Sequence, residues 1–240
     1  MGSTVIASAT FVLTKLVSKP LEQVGELLAD KVNFWRYQNQ ISTLNKAVEY
    51  ARAKGIEIKP VNLKTLFPLL DGASLEEEPS IQELWARLLI SAGNTNASQG
   101  IKNITIDLLR ALTPPDAQVL EAVFKSIFIR HKEDLRGKAE LFRNHPHLRD
   151  KHEFNPYTNI SPERLIGLTG LDLHSLQLSI DNISRFQIIN RVPSGQADYS
   201  TMQNIDGHFS LTNTGWEVVC LLNNFTLADI TKETRDEAEI

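Results

Sequence analysis

The feature that most constrains this fold is an apolar stripe that runs from Leu21 to Ala51. Its apolar residues recur at three- and four-residue steps, which places them along one side of an α-helix, since 3.6 residues make one turn. The stripe stops at Gly55, a residue type that commonly ends helices, and Pro60 follows it. A helix of this length must bury its apolar side against other elements, so the sequence predicts a mainly α-helical fold.

Shorter helical stripes follow in the same half of the chain. Residues 80–92 carry a dense apolar stripe, and Ser80 stands where a capping residue is expected. Residues 71–74 are predicted to form the turn before this helix, because Asp, Gly and Ser favour turns. A further helix ends before Pro114. Since prolines interrupt the helical pattern at that point, the sequence predicts an N-terminal helical domain over residues 1–112.

The second half of the chain combines helices with a small hairpin. Residues 113–159 are predicted to form a helix that leads into a charged linker segment, and residues 226–240 form an acidic tail. Between them, residues 160–225 contain a short helix, a second helix, two short apolar strands and a last helix, in that order. This order is typical of a winged helix-turn-helix, so we expect a C-terminal winged-helix-like α+β domain with a small antiparallel hairpin.

Charge and cysteine content limit the partners and the compartment. With 25 Lys and Arg against 29 Asp and Glu, the net charge is -4, so no global attraction draws the chain to nucleic acid or to an anionic membrane. Cys220 is the single cysteine and cannot form an intramolecular disulfide, and its apolar neighbours predict a buried, inert thiol. These observations favour a reducing compartment, and we expect a cytoplasmic protein.

Membrane contact is considered for one segment near the start of the sequence. Residues 5–17 read VIASATFVLTKLV, which is shorter than the run of about 20 apolar residues that a membrane span requires. Its polar positions are mostly hydroxyls, whereas surface-lying membrane helices usually carry Lys and Arg. An amphipathic helix packed on the protein or on a second copy is the expected role, and a membrane-perturbing effector is the alternative.

The sequence carries no strong catalytic or metal-binding motif. Four histidines lie close together beside acidic residues, at His131, His145, His147 and His152. A His-X-His pair on a strand can bind zinc, but Pro146 separates the pair here and disfavours a strand. Neither an HEXXH helix nor a phosphate-binding glycine loop with its lysine is present in the sequence. We therefore expect no metal site, no cofactor and no enzymatic activity.

The predicted winged helix raises the hypothesis of DNA binding. Four polar side chains of this region are candidate nucleic-acid contacts, namely Gln177, Asn182, Arg185 and Arg191. Between residues 160 and 225, however, three basic residues stand against six acidic ones, whereas phosphate contacts come chiefly from Lys and Arg. We therefore expect this module to contact protein, and a DNA-binding transcriptional regulator is the alternative.

A cluster of aromatic residues in the first long helix predicts an interaction surface. The consecutive residues Phe34, Trp35, Arg36 and Tyr37 spread around the helix, so at least one aromatic side chain must leave the core. Exposed aromatic residues are common at protein interfaces. These four residues are the candidate interaction site, and a homo-oligomer built on the N-terminal helices is the expected assembly.

Several segments together resemble the abortive-infection alpha (Abi-alpha) family of bacterial proteins. The most characteristic is the acidic stretch ASLEEEP at residues 73–79, which leads into QELWARLL at residues 82–89. The similarity continues in the Leu-X-X-Leu-Thr-Pro pattern of residues 109–114 and in the Leu-Thr-X-X-Gly pattern of residues 211–215. In all, the resemblance covers residues 20–225, and its residues are mostly of the kind that packs a core.

The resemblance implies a role in resistance to phage. In abortive infection an infected cell stops growing or dies before phage are released, and no catalytic residue of the family is carried over to this chain. We therefore expect a non-enzymatic phage-defence protein that acts through protein contacts, either with a partner or with a second copy of itself. Nucleic acid is a less favoured partner, and membrane contact depends on residues 5–17.

Overall fold

The fold is mainly helical, with one two-stranded antiparallel hairpin, as the sequence predicts. The computed structural model describes residues 34–145, 159–193 and 207–224. The chain divides into two compact units, the first ending at Pro114 and the second beginning at Pro115, and Leu221–Asn224 group with the first unit. The finer division at residues 159 and 160 that the sequence suggests stays a prediction.

The first unit is built from helices that pack around a shared apolar core. Its described helices are α1 Phe34–Lys54, α2 Leu63–Ser74, α3 Pro79–Asn94 and α4 Gln99–Ala111. Helix α1 packs on α2 and most extensively on α3, while α2 also contacts α3 and α4. Leu44 and Ala51 of the predicted stripe are buried, and Trp85 of α3 is fully buried. From Ile41 onward the predicted stripe therefore does face the core, and its residues 21–33 lie outside the described residues.

Local sequence fixes where these helices start and stop. Gly55 has a positive φ of 64° directly after α1, which confirms the predicted end of that helix. The side chains of Asn62 and Ser98 accept hydrogen bonds from the backbone N–H groups of Lys64 and Ile101, so they cap the starts of α2 and α4. Each cap satisfies a backbone donor that a helix start would otherwise leave unpaired.

Two sequence predictions in this unit are wrong. Residues 71–74 do not form a separate turn, since they are the last turn of helix α2. Two side chains of α1 stabilise this end: Arg36 donates to the Ser74 hydroxyl, and Asn39 donates to the Ser74 carbonyl oxygen. Ser80 does not cap α3, which begins one residue earlier at Pro79 with Glu78 as the capping position. Proline is well suited to a first helical position, and that preference outweighs the Ser80 pattern.

The second unit combines helices with the hairpin. Its described elements are α5 Pro114–Gly137, α6 Ala139–Asn144, α7 Pro162–Thr169, α8 Leu173–Ser184, β1 Ile189–Pro193, β2 Gly207–Leu211 and α9 Asn213–Asn223. Strands β1 and β2 pair in register from Ile189 opposite Leu211 to Pro193 opposite Gly207. Phe209 of β2 also exchanges two backbone hydrogen bonds with Ile160, of 2.7 and 2.8 Å. Ile160, which precedes α7, therefore pairs with the edge of β2 that faces away from β1.

Helices α7 and α8 are joined by a tight, well-capped turn. Ser161 caps α7, and the Asp172 carboxylate caps α8 by accepting from the backbone N–H of Ser175 at 2.9 Å. Gly170 ends α7 with a φ of 71°, a conformation that favours glycine. The hydrogen bonds that Asp172 accepts from the backbone N–H and the hydroxyl of Ser175 hold the pKa of its carboxyl below the ordinary value. The carboxylate therefore also suits the positive end of the α8 dipole.

The end of β2 is locked to the start of α9 by the Leu-Thr-X-X-Gly pattern. The Thr212 hydroxyl accepts a hydrogen bond from the Gly215 backbone N–H at 2.8 Å, which caps α9. The Thr212 backbone N–H donates to the Ile188 carbonyl oxygen at 3.0 Å. A Cβ at Gly215 would lie 2.0 Å from that same oxygen. Only glycine therefore allows the helix to start so close to the strand.

Replacing Gly215 by alanine should strongly destabilise the protein. The new methyl group would overlap backbone atoms of Ile188, which cannot move aside as a side chain can, so we expect a loss of about 1–3 kcal/mol or more. Gly167→Ala is the matched control, because a Cβ at this position in α7 meets nothing within 4 Å. It should leave the stability unchanged or raise it by up to about 1 kcal/mol. Urea unfolding of both variants measures the difference, and equal effects would contradict the close approach.

Candidate interaction site

The C-terminal end of α2 is held by side chains that come from α1. A helix leaves its last carbonyl groups without intrahelical partners, so they need other donors. The Gln40 side chain donates to the Leu70 carbonyl oxygen at 3.3 Å, and the Asn39 side chain donates to that of Ser74 at 3.1 Å. Gln40 is itself buried. Asn39 thus gives a donor to a carbonyl that the helix itself leaves without one, and the buried Gln40 amide finds a partner on α2.

Asp71 lies between two arginines at this end of α2. Its carboxylate contacts the Arg36 guanidinium of α1 at 2.6 Å and that of Arg110 of α4 at 3.2 Å. Arg36 also donates through Nε to the Ser74 hydroxyl at 2.9 Å, and Arg110 donates to the Pro68 carbonyl oxygen at 3.1 Å. Positive side chains near a helix C-terminus interact favourably with its dipole. We call the side chains of Arg36, Asn39, Gln40 and Arg110 with residues 68–74 the α2 clamp.

A glycine lets the indole of Trp85 lie against the same end of α2. A Cβ at Gly72 would lie 2.5 Å from the Trp85 ring, and 3.1 Å from Nε of Arg110. Gly72 and Trp85 are both buried. The largest side chain of the core therefore packs where α2 has no side chain of its own, directly beside the α2 clamp.

The clamp leads into an acidic turn at residues 75–78, which the start of α3 holds in place. Gln82, which is buried, donates to the Glu76 carbonyl oxygen at 2.8 Å. The same amide accepts a hydrogen bond from the Ser42 hydroxyl of α1 at 2.8 Å. Within the turn, the Glu76 carboxylate accepts from the Glu78 backbone N–H at 2.8 Å. The acidic turn is therefore a defined structure, fixed by both α1 and α3.

Burial makes one carboxylate of this turn hard to ionise. Desolvation raises the pKa of Glu76 above its ordinary value, and the hydrogen bond from the Glu78 backbone N–H opposes this effect. The nearby carboxylates of Glu77 and Glu78 raise the pKa further, because like charges disfavour ionisation. Negative charge is thus concentrated in the acidic turn, and ionisation of Glu76 lowers the stability of the folded state.

The four residues predicted as an interaction site all lie in α1. The side chains of Phe34 and Trp35 lie outside the part that the structure describes. Arg36 is engaged in the α2 clamp. Tyr37 is 45% exposed, which agrees with the argument that an aromatic side chain must leave the core. Arg36 therefore stabilises the contact between α1 and α2, whereas Tyr37 is exposed to solvent.

The four candidate nucleic-acid contacts are brought together on and beside α8, but internal partners engage most of them. Asn182 donates to the buried Asp116 carboxylate at 2.6 Å, and Arg185 donates to the Asn182 side-chain oxygen at 3.1 Å. Arg191 contacts Asp181 at 2.7 Å. Gln177, the fourth, is half-buried on α8. The positive charges of this surface are therefore matched by nearby carboxylates or bound to neighbouring side chains.

The remaining candidate features add little. Among the described residues, no group of three or more His, Cys, Asp and Glu side chains has the geometry of a metal site, and His147 and His152 fall outside those residues. No helix in the same ranges is long and apolar enough to cross a membrane, and residues 5–17 are also outside them. Cys220 is half-buried and not fully buried as predicted, because its position on α9 lies between the helix's buried positions and its exposed side.

Sequence reasoning missed the α2 clamp and the support of the acidic turn. The sequence predicts Asp71 in a turn, and it assigns no hydrogen-bond partner to Gln40 or Gln82. A useful sign was available: each glutamine stands at a core-facing position of an otherwise apolar stripe. A polar side chain in such a place needs a hydrogen-bond partner, and in both cases the partner is a backbone carbonyl.

Comparison with known proteins identifies the family. The family model described as Abortive infection alpha (Abi_alpha) matches residues 35–217, more than half of the chain and parts of both units. The protein therefore belongs to the abortive infection alpha family, as its sequence resemblance suggests. No match was found among the curated proteins or among the solved structures.

Replacing Arg36 by alanine should weaken the first unit. The change removes charge-assisted hydrogen bonds to Asp71 and Ser74, and we expect a loss of about 1–2 kcal/mol after allowing for partial exposure of the pair. Arg52→Ala is the control, because Arg52 is an exposed arginine of the same helix. It should change the free energy of unfolding by less than about 0.5 kcal/mol. If both variants unfold at the same urea concentration, the α2 clamp does not stabilise the unit.

Glu76→Gln should change how stability depends on pH. Because the pKa of Glu76 is raised in the folded state, that state binds the proton more tightly, and stability falls as the pH rises through this pKa. The variant lacks this loss, so its stability relative to the parent should increase from acidic to neutral pH. Glu77→Gln makes the same charge change at an exposed position and is the control. Parallel pH profiles of parent and Glu76→Gln would contradict the assignment.

Proposed function

We propose that the chain acts in phage defence by abortive infection, as a non-enzymatic protein that works through protein contacts. The observation that carries the proposal is the match of the abortive infection alpha family over residues 35–217. The match includes the α2 clamp, the acidic turn and the Thr212–Gly215 lock, so it covers features that define both units. In this proposal the units are scaffolds that present surfaces in the bacterial cytoplasm.

The use of polar residues supports a role without catalysis. In the first unit, the polar groups that come together do so to satisfy the end of α2 and the acidic turn. In the second unit, the buried Asp116 carboxylate is held by Asn182. Such arrangements stabilise helices and their contacts.

We further propose that the second unit is winged-helix-like and that it contacts protein and not DNA. The order of α7, α8, the β1–β2 hairpin and α9 is the order of such a module. Binding to duplex DNA relies on Lys and Arg that reach phosphates. Here Arg191 is paired with Asp181, Asn182 is bound to Asp116, and acidic residues outnumber basic ones between residues 160 and 225.

Infection at a high ratio of phage to cells tests the proposed function. Bacteria that express the chain should release fewer phage than bacteria with an empty vector, yet they should not resume growth, because abortive infection sacrifices the infected cell. The measurements are the burst size and the count of surviving colonies across a panel of phages. Cells that both block phage release and continue to grow would contradict an abortive mechanism.

Two variants connect this result to the folded protein. Gly215→Ala should lose protection in proportion to its loss of stability, because the added methyl group prevents the start of α9 from lying against the Ile188 carbonyl. Gly167→Ala should protect like the parent chain, because its site is open. Full protection by a Gly215→Ala protein that is shown to be unfolded would mean that the second unit has no part in the function.

A further inference from the structure

Two large apolar side chains are exposed at the place where α1 meets the end of α2. Tyr37 is 45% exposed and Leu75 is 56% exposed. Their chain neighbours are in direct contact: Arg36 donates to the Ser74 hydroxyl at 2.9 Å. Asn39, two residues after Tyr37, donates to the Ser74 carbonyl oxygen at 3.1 Å. The α2 clamp therefore brings the backbone at position 37 close to the backbone at position 75.

This surface is negatively charged. From residue 65 to residue 86 the sequence contains no Lys or Arg, and its acidic residues are Asp71, Glu76, Glu77, Glu78 and Glu83. Two arginines that reach the end of α2, Arg36 and Arg110, are both bound to Asp71. Asp71 cancels the charge of one of them, and Glu76, Glu77 and Glu78 outnumber the one that is left, so the surface keeps an excess of negative charge. Burial is the main cause of the raised pKa of Glu76, and the carboxylates of Glu78 and Glu77 add a smaller effect in the same direction.

The surface is also held in one conformation before any partner binds. Gln82 fixes the backbone of the acidic turn and is itself fixed by Ser42. Asn39 fixes the residue that precedes Leu75. A segment that is already ordered loses less conformational entropy on binding, which favours affinity. An exposed leucine on a fixed turn is therefore better suited to recognition than one on a loose loop.

We propose that Tyr37, Leu75 and the acidic turn form a docking surface for an amphipathic helix of a partner protein, with Lys or Arg beside its apolar side. The apolar side would cover Tyr37 and Leu75, and the basic residues would lie opposite Glu77 and Glu78. Opposite charges around an apolar centre steer such an encounter and orient the partner. The inference rests on the proposed function, because it names the kind of protein that the first unit would contact.

Titration of the full isotope-labelled chain with a short helical peptide of leucine and lysine tests this surface by NMR. The backbone signals of Tyr37 and of residues 75–78 should shift, and binding should weaken as salt rises. Leu75→Ser and Tyr37→Ser should each weaken binding about tenfold, the loss typical of a strong interface residue. Both changes are at exposed positions, so circular dichroism and the unfolding midpoint should match those of the parent.

Two controls separate this surface from general stickiness. Leu178→Ser removes the exposed leucine of α8, which is 57% exposed in the second unit, and should leave peptide binding unchanged. A peptide with glutamate in place of lysine should not bind. Equal binding of both peptides, or shifts centred on α8, would overturn the proposal. Binding that appears only after deletion of residues 1–33 would also overturn it, because the chain's own start would then be the occupant.

The result is distinguishable from a failure of the proposed function. If Leu75→Ser loses peptide binding but still protects cells from phage, the docking surface exists and the defence uses another surface. If the parent chain protects cells but binds no basic peptide, the phage-defence role stands and this docking surface is wrong. Loss of protection in Leu75→Ser, with full protection in Leu178→Ser, supports both together.

Discussion

The first unit depends on how the C-terminal end of α2 is satisfied. Asn39 and Gln40 of α1 and Arg110 of α4 each bond a backbone carbonyl there. The Ser74 carbonyl has no donor within α2, and the buried Gln40 amide needs a partner of its own, so these contacts link α2 to both α1 and α4. The fixed end in turn allows Trp85 to pack on Gly72 and holds the start of the acidic turn. Packing and surface shape in this unit thus have a common origin.

The second unit uses the same principle at a different place. There the Ile188 carbonyl oxygen accepts from the Thr212 backbone N–H, and glycine at position 215 leaves room for it. The Thr212 hydroxyl meanwhile caps α9. In both units the matched residues include a short sequence segment that gives a backbone carbonyl its partner, Asn39 for Ser74 and Thr212 for Ile188.

The sequence predicts the elements well where periodicity and capping agree, as in α1 with its end at Gly55 and in the order from α7 to α9. It fails at residues 71–74, because Asp, Gly and Ser favour a turn locally while side chains from distant helices stabilise a helix. It likewise could not show that Asn182 is bound to Asp116, since 66 positions separate them. Of the candidate site, aromatic exposure was predictable, whereas the partners of Arg36 are set by tertiary structure.

We propose that this member of the abortive infection alpha family acts by contact, since Arg36 and Arg191 are already engaged by carboxylates. The most direct test is the mass and composition of the native protein purified from infected cells, by light scattering and mass spectrometry. The account predicts a discrete complex with a protein partner or with further copies of the chain. Co-purified nucleic acid that persists at high salt, with no protein partner, would contradict it and favour a DNA-binding regulator.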